Sequence, residues 1–487
     1  MKNFGNLLLA CMAALLGACA GESAGKCDAV VRIDADSVVN RGYIGNGVQW
    51  DPYALDYGKG RVEISDADWA KLYARLDFMR PAFIRVMTNT TSVVRNGRLD
   101  RMRGFEHLSH ILGYCQSRGV TVMFGDWGGS LMDARAGTVN RTLLDHAAAY
   151  VAWLVGEKGY DCIRYYNLVN EPNGFWSAAD GDFDLWAKAV SYFRGRLDAE
   201  GLAGKVELVG PDAAIWGPEE AWWVSRSRDE LGDRIGLYDI HTYPSKCTVN
   251  SGEYTRILEA YRREVPAGKK IVMGEIGFKF VEPADSLLQA ENLRRAAAHP
   301  NASTDDSQMF VYDPMYGTDM ADALFQTIHA GYSGCIAWML DDAMHFKEAP
   351  DKLKIWGFWN IFGDEIFGAG EERVRPWYYA WSLLCRTLRP GSDFFAADVR
   401  GAAAVKDGRR TVAVVNVSRE PRRVRIECPG WKRFRQATRY RYGEGLMRTE
   451  GDHTLLPDAT GLRIDFRSGA EYDMPGESMI LLTEQND

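Results

Sequence analysis

The chain has 487 residues, 46% hydrophobic, 25% charged and 12% aromatic, with a formal charge of -8. This balance excludes a disordered, collagen-like or disulfide-knot protein, and the acidic charge argues against general nucleic-acid binding. The length suits one large domain with a smaller companion.

The first residues read as an address. Lys2 precedes an apolar run over 7–16, which is too short to span a bilayer and has the length of a secretory leader. The run closes on Leu16-Gly17-Ala18-Cys19, which resembles the lipobox of bacterial lipoproteins. That resemblance implies residues 1–18 as signal peptide and lipidation at Cys19. Residues 19–40 read as a small, polar tether followed by a strand over 29–34. No later run reaches ~18 consecutive apolar residues, so the lipid is the expected membrane attachment of an exported protein, in the periplasm or at the outer surface.

From 41 to 390, short β-rich runs alternate with longer amphipathic ones. Strands are expected at 45–50, 83–87, 120–124, 163–169, 206–209, 237–241, 270–274 and 334–339. Helices are expected at 66–79, 105–118, 143–155, 183–197, 254–265, 320–330 and 376–388, with a weaker one over 219–231. Eight such units point to an α/β fold, the (β/α)8 TIM barrel. No GxGxxG follows the first strand, which argues against a dinucleotide-binding sheet. Two connections, 276–318 and 341–375, are long enough to wall a substrate site. The second carries Trp356, Phe358, Trp359 and Phe362, which are either sugar-stacking platforms or a private core of the insertion.

Beyond Pro390-Gly391 the pattern changes to short alternating runs at 411–417, 422–426, 462–466 and 478–483. Residues 391–487 are therefore expected to form a C-terminal β-sandwich domain, joined by the early strand. The stretch 406–448 holds 13 Lys and Arg against 4 Asp and Glu. That excess suits solvated outer faces, or else a surface for an acidic polysaccharide. The seven cysteines beyond Cys19 form no CxxC and cannot all pair, so most are read as small buried apolar residues, with no zinc site.

A TIM barrel does its chemistry at the C-terminal ends of its strands. Glu171, in Asn170-Glu171-Pro172-Asn173, closes the fourth strand, and Glu275, in Gly274-Glu275-Ile276-Gly277, closes the seventh. Two carboxyl groups facing one cavity are what cleavage of a glycosidic bond usually requires. Arg85 ends the second strand and can hold a carboxylate in its guanidinium fork. Asn170 can hydrogen-bond a sugar hydroxyl. His241 and Tyr243 alternate onto one face of the sixth strand, and Trp338 in the eighth can floor a sugar ring. Trp50-Asp51, Asp126-Trp127 and Asp341-Asp342 are further rim candidates. Asp126 and Trp127 are favoured among them, because Gly128-Gly129 leaves the backbone room to approach a ligand.

Arg85, Asn170-Glu171-Pro172, His241-Thr242-Tyr243, Glu275 and Trp338 together resemble clan A of the glycoside hydrolases across the whole barrel. The Gly-Glu-Ile-Gly around Glu275 is similar to family 5; the Asn-Glu-Pro-Asn and the trailing sandwich are similar to family 39. The resemblance implies a retaining double displacement on a carbohydrate, without metal or cofactor. Glu171 would be acid/base and Glu275 nucleophile; Tyr243 and Arg85 would contact the nucleophile, and Asn170 the sugar 2-hydroxyl. Two other readings stand beside it: a catalytically silent carbohydrate-binding surface lipoprotein, and a metal-dependent barrel hydrolase. The second is disfavoured by the lack of an HxH after the first strand.

Overall fold

Eight short strands, mostly apolar on both faces, close into a parallel barrel covered by helices. The computed structural model describes residues 27–53, 63–345, 352–368, 370–398 and 400–485. After an N-terminal strand, β1 (Ala29–Asn40), the barrel strands follow in chain order. They are β2 (Gly45–Gln49), β3 (Phe83–Thr88), β4 (Thr121–Asp126), β5 (Ile163–Asn167), β6 (Glu207–Ile215), β7 (Ile235–Thr242), β8 (Lys270–Ile276) and β9 (Gly334–Ala337). Each pairs with the next, and β9 closes on β2.

Local signals place the helices. α1 (Asp66–Met79) opens on a capping box between Ser65 and Asp68, and α2 (Phe105–Arg118) stops at the left-handed Gly119. Asn140 and Asp182 cap α3 (Arg141–Ala152) and α4 (Phe183–Ala199). α5 (Glu253–Glu264), α6 (Ser286–Ala298), α7 (Pro314–His329) and α8 (Pro376–Thr387) follow. Three details differ from the sequence expectation. The weak helix over 219–231 breaks into short turns, with only Trp222–Arg226 α-helical. The helix expected at 320–330 starts earlier, at Pro314, where the ring suits a first turn. α6 forms inside the 276–318 connection and buries only Asn292 and Ala296, so no apolar period announced it.

Trp356, Phe358, Trp359 and Phe362 are all buried: Phe358 and Trp359 pack on Trp377 and Tyr378, Trp356 on Tyr243 and Phe362 on Tyr53. They are core of the insertion and not sugar platforms.

Inside the barrel, Phe83, Met123, Val209, Leu237, Val272 and Ile336 close the lower end. Two residues further along their strands, the inward positions become polar: Arg85 follows Phe83, and Asp239 follows Leu237. Gln49 and Asn167 join them, so the upper end of the barrel is a buried polar layer.

The sandwich strands are β10 (Asp393–Ala397), β11 (Gly401–Lys406), β12 (Arg409–Asn416), β13 (Arg422–Glu427), β14 (Phe434–Tyr442), β15 (Ala459–Ile464), β16 (Ala470–Met474) and β17 (Ser478–Thr483). β1 serves both layers: Ala29 to Arg32 run parallel to β13, and its later part runs antiparallel to β10. Val31, Ile33, Val412, Val414, Ile426, Phe434 and Leu482 share the core between them. The excess of basic residues over 406–448 is answered across the sheets. Arg410 pairs with Glu484 at 2.8 Å, Arg423 with Glu471 at 2.9 Å, Arg433 with Asp465 at 3.2 Å and Arg439 with Asp458 at 2.7 Å. Those acids lie later in the chain, so part of the local excess is paired on folding, while Arg409, Arg422, Lys432, Arg435 and Arg448 stay exposed.

Cys115, Cys162, Cys335, Cys385 and Cys428 are buried thiols, while Cys27 and Cys247 are half-buried; all seven are free. Among the described residues no helix is long and apolar enough to cross a membrane. The leader and Cys19 lie outside the described residues.

Candidate active site

A cavity of about 530 Å³ opens at the C-terminal end of the barrel, and Glu171 and Glu275 both line it. One oxygen of each carboxylate and a ring nitrogen of His241 lie within 4.8 Å of one another.

Glu275 is placed by a local irregularity. The pairing of β7 with β8 shifts between Ile240–Met273 and His241–Glu275, so Gly274 is an extra residue that rotates Glu275 inward beside His241. Only glycine fits there, since a Cβ at 274 would strike the Asp239 carboxylate and the His241 ring. Glu275 is 5% exposed. Its Oε2 accepts from Arg85 Nη1 at 2.9 Å and its Oε1 accepts from the Tyr243 hydroxyl. Burial lifts the carboxyl above its ordinary value, with His241 and Arg85 pulling against that lift. Tyr243, pushed well above its own ordinary value by burial and by Glu275, remains a donor.

Glu171 is placed by its motif. It adopts a left-handed backbone with φ 48°, which for a non-glycine residue costs about 1 kcal/mol or more and needs support. Its N–H donates to Asp212 Oδ2 at 3.2 Å, and its carbonyl accepts from Gly174 N at 2.9 Å. Asn173 pins the loop to β6, donating to the Ala214 carbonyl at 2.7 Å and accepting from its N–H at 2.8 Å. The Asn170 Oδ1 accepts from Arg85 Nη2 at 2.8 Å, which leaves its amide NH₂ for the cavity. The Glu171 side chain then meets His241 Nδ1 at 3.1 Å and accepts from Trp176 Nε1 at 2.7 Å.

Arg85 is fully buried beneath these groups, touching Glu275, Asn170, Asp212 and Gln49. It orders the carboxylates and has no surface for a substrate. Trp338, Trp127, His241 and Tyr243 line the cavity. Trp338 stacks on His345 with ring centroids 5.4 Å apart. His345 is itself oriented by Asp51 at 2.8 Å.

Two sequence candidates are corrected. Trp50 lies on the outer face of the barrel, packed against Trp69 and Tyr114 and 0% exposed, so it reaches no ligand. Asp126 is buried and spends its carboxylate on Thr90 and on the Gly128 N–H, shaping the loop that carries Trp127. Among the weaker candidates, Asp341 and Asp342 bind Trp359 and Arg375 as parts of the core.

Sequence reasoning missed Asp212, Asp239, Trp176, Trp216 and His345. Asp239 was detectable as the residue two before His241 on the same strand face. Trp176 lies five residues past Glu171 in the same loop. Asp212 was hidden because β6 runs on to Ile215, beyond its expected end at 209.

Glu171, His241 and Glu275, or Asp212, Asp239 and His241, lie close enough to share a metal ion. The Arg85 guanidinium already sits on Glu275 and Asp212, so an added cation would meet a fixed positive charge.

No family model and no curated protein matches this chain by sequence. Solved structures do match in fold. A monomeric β-xylosidase from Caulobacter crescentus is 13% identical, with 93% of this chain and 99% of that one covered at a TM-score of 0.61. A glycoside hydrolase family 30 endoxylanase from Clostridium papyrosolvens is 12% identical over 94% and 100%, at 0.63. A glucosidase from Croceicoccus marinus is 10% identical over 93% and 98%, at 0.61. The likeness spans the barrel and the sandwich together.

Proposed function

We propose that this protein is a retaining glycoside hydrolase that cleaves an oligo- or polysaccharide by double displacement. The observation that carries the reading is the placement of a Glu171 oxygen and a Glu275 oxygen within 4.8 Å in one cavity. Retaining enzymes hold their carboxyl groups about 5–5.5 Å apart, whereas inverting ones leave about 6.5–9.5 Å for a water.

The surroundings divide the roles. Glu275, ion-paired to Arg85 and fixed by Tyr243, offers an anionic oxygen to the anomeric carbon. Glu171 lies at the cavity wall and gives its proton to the departing oxygen. The glycosidic C–O bond breaks as the bond to Glu275 forms. Glu171, now a carboxylate, takes a proton from water; the hydroxide equivalent attacks the same carbon and frees Glu275. In this reading the Asn170 amide binds the sugar hydroxyl beside the reacting carbon and Trp338 supplies the floor; both line the cavity, which supports those roles.

A sugar leaving group suits the side of the site at Glu171. Trp176, which touches Glu171, is 47% exposed, and its neighbours Phe175 and Trp216 are 84% and 53% exposed. These rings adjoin one another at 4.9 Å and 6.0 Å. Wide amphipathic rings left in water beside a proton donor are the surface on which a pyranose stacks.

The test is a panel of oligo- and polysaccharides, beginning with xylose- and glucose-based chains, followed by ¹H NMR of the first product. Release with the anomeric configuration of the substrate is expected. Release with the opposite configuration overturns the double displacement, and binding without release points to the silent carbohydrate-binding protein. The export reading belongs to the same proposal: metabolic palmitate labelling is expected and should vanish in Cys19→Ser. Unchanged labelling in that variant removes the anchor from Cys19.

A further inference from the structure

The double displacement uses Glu171, Glu275 and their direct partners, and leaves two acids behind them without a role. Asp212 and Asp239 are 1% and 0% exposed and lie on adjacent strands, β6 and β7. Asp212 reaches three parts of the site. Its Oδ2 accepts from Arg85 Nη2 at 3.2 Å and from the Glu171 backbone N–H at 3.2 Å; its Oδ1 lies 2.8 Å from His241 Nε2. The opposite ring nitrogen of that histidine meets Glu171 Oε1 at 3.1 Å. One buried carboxylate is thus connected to Glu275 through Arg85, and to Glu171 through both the imidazole and the backbone.

We propose that Asp212 is a positioning residue for Glu171: it is the anion that keeps His241 an imidazolium donating to Glu171, with Asp239 beneath it as a neutral, protonated acid. The inference rests on the glycosidase reading only for its kinetic consequence.

Charge balance supports this arrangement. The groups facing His241 are Asp212 from β6, Asp239 on its own strand, Glu275 from β8, Arg85 from β3 and Glu171 from the loop after β5. With Glu171 protonated as the acid, ionising Asp212, Asp239 and Glu275 together would set three anions against Arg85 and the imidazolium in a buried cluster. One proton on the aspartate pair leaves two of each sign. Burial and the neighbouring Asp212 push Asp239 well above the usual carboxylate range. Against burial, His241 and Arg85 hold Asp212 well below it. Against burial, Asp212 and Glu275 raise His241 well above its ordinary value. The geometry agrees: Asp239 Oδ2 as a bare carboxylate oxygen is buried without a donor, and a proton on it directed to Asp212 satisfies it.

The protonation state of His241 matters for the chemistry. A neutral ring beside Asp212 would keep its proton on Nε2 and turn a bare Nδ1 toward Glu171. That nitrogen would then compete with the departing glycosidic oxygen for the Glu171 proton. The imidazolium removes the competitor and holds the carboxyl in one orientation through both half-reactions.

The experiment is NMR of the full-length protein labelled with ¹⁵N-histidine. The chain has only 8 His, and His241→Gln identifies the signal. Wild-type His241 should keep both ring protons at a pH where an ordinary histidine is already neutral. Asp212→Asn should let it titrate in the ordinary histidine range. Asp239→Asn, whose amide replaces a carboxyl already neutral, should leave it doubly protonated. With a glycan substrate, Asp212→Asn should lower kcat about 100-fold while KM moves little. A neutral wild-type ring at about pH 7 overturns the proposal, as does an imidazolium that survives Asp212→Asn or is lost in Asp239→Asn. The wild-type spectrum decides even if a variant fails to fold. The NMR readout needs no substrate, so a failed glycosidase reading is told apart from a failed Asp212 role.

Discussion

Glu275→Gln should suppress glycan cleavage by about 10⁵-fold or more, because it removes the proposed nucleophile and leaves only binding and positioning. Glutamine keeps the shape, with its carbonyl oxygen accepting from Arg85 and its NH₂ donating to the Tyr243 hydroxyl oxygen, and Arg85 keeps Asp212 as an ionic partner. The variant should therefore fold, as circular dichroism would verify, and fail only in chemistry. In the wild type the anion must be present for attack, so rate is lost as pH falls through the Glu275 value. Burial lifts that value above the ordinary 4.5, so the acid limb of kcat/KM belongs above it. Cleavage by Glu275→Gln within tenfold of wild type would remove Glu275 from the mechanism.

Glu171→Ala should behave differently, because its loss depends on the leaving group. Cleavage of a glycan, whose departing alkoxide needs a proton, should fall about 10²- to 10⁴-fold, or about 3–5 kcal/mol of barrier. The first step with a glycosyl fluoride should fall far less, since fluoride leaves without protonation. Azide should then accelerate turnover by attacking the glycosyl-enzyme in the space vacated by the carboxylate. The product should be a glycosyl azide with the configuration of the substrate. Equal losses on both substrates, with no azide product, would show that Glu171 supports the site without moving a proton.

Both glutamates were legible in the sequence because a strand-end position in a TIM barrel is defined by chain order alone. Once eight strands are counted, the ends of the fourth and seventh are known; Glu275 lies in the last residues of the seventh and Glu171 in the loop just past the fourth. The errors came where strand parity decides. Trp50 and Trp127 both follow a barrel strand, yet Trp50 faces the helices and Trp127 faces the cavity. Asp126 next to Trp127 has the right chemistry for a sugar hydroxyl but is claimed by backbone N–H groups that the turn leaves unpaired. The aromatics of the 341–375 insertion carry no sign in sequence of whether they face a ligand or one another; packing on α8, Tyr243 and Tyr53 buries them.

The sequence by itself determined the strand–helix alternation, the switch to a sandwich after residue 390 and the two carboxylates with their Arg85, His241 and Tyr243 partners. Periodicity and strand order are local properties of the chain, and they suffice for the alternation and the strand-end residues; the contacts of Arg85 and Tyr243 with Glu275 were implied by the resemblance to clan A. Only the tertiary structure decided that Gly274 rotates Glu275 inward. It also joined Asp212 and Asp239 behind His241 and paired four arginines of the basic stretch with acids from later in the chain. Each of those outcomes depends on which side chains from distant strands meet in a space that excludes water. There a bulge, a shared proton or a cross-sheet ion pair sets the chemistry, and none of them has a signature in residue spacing.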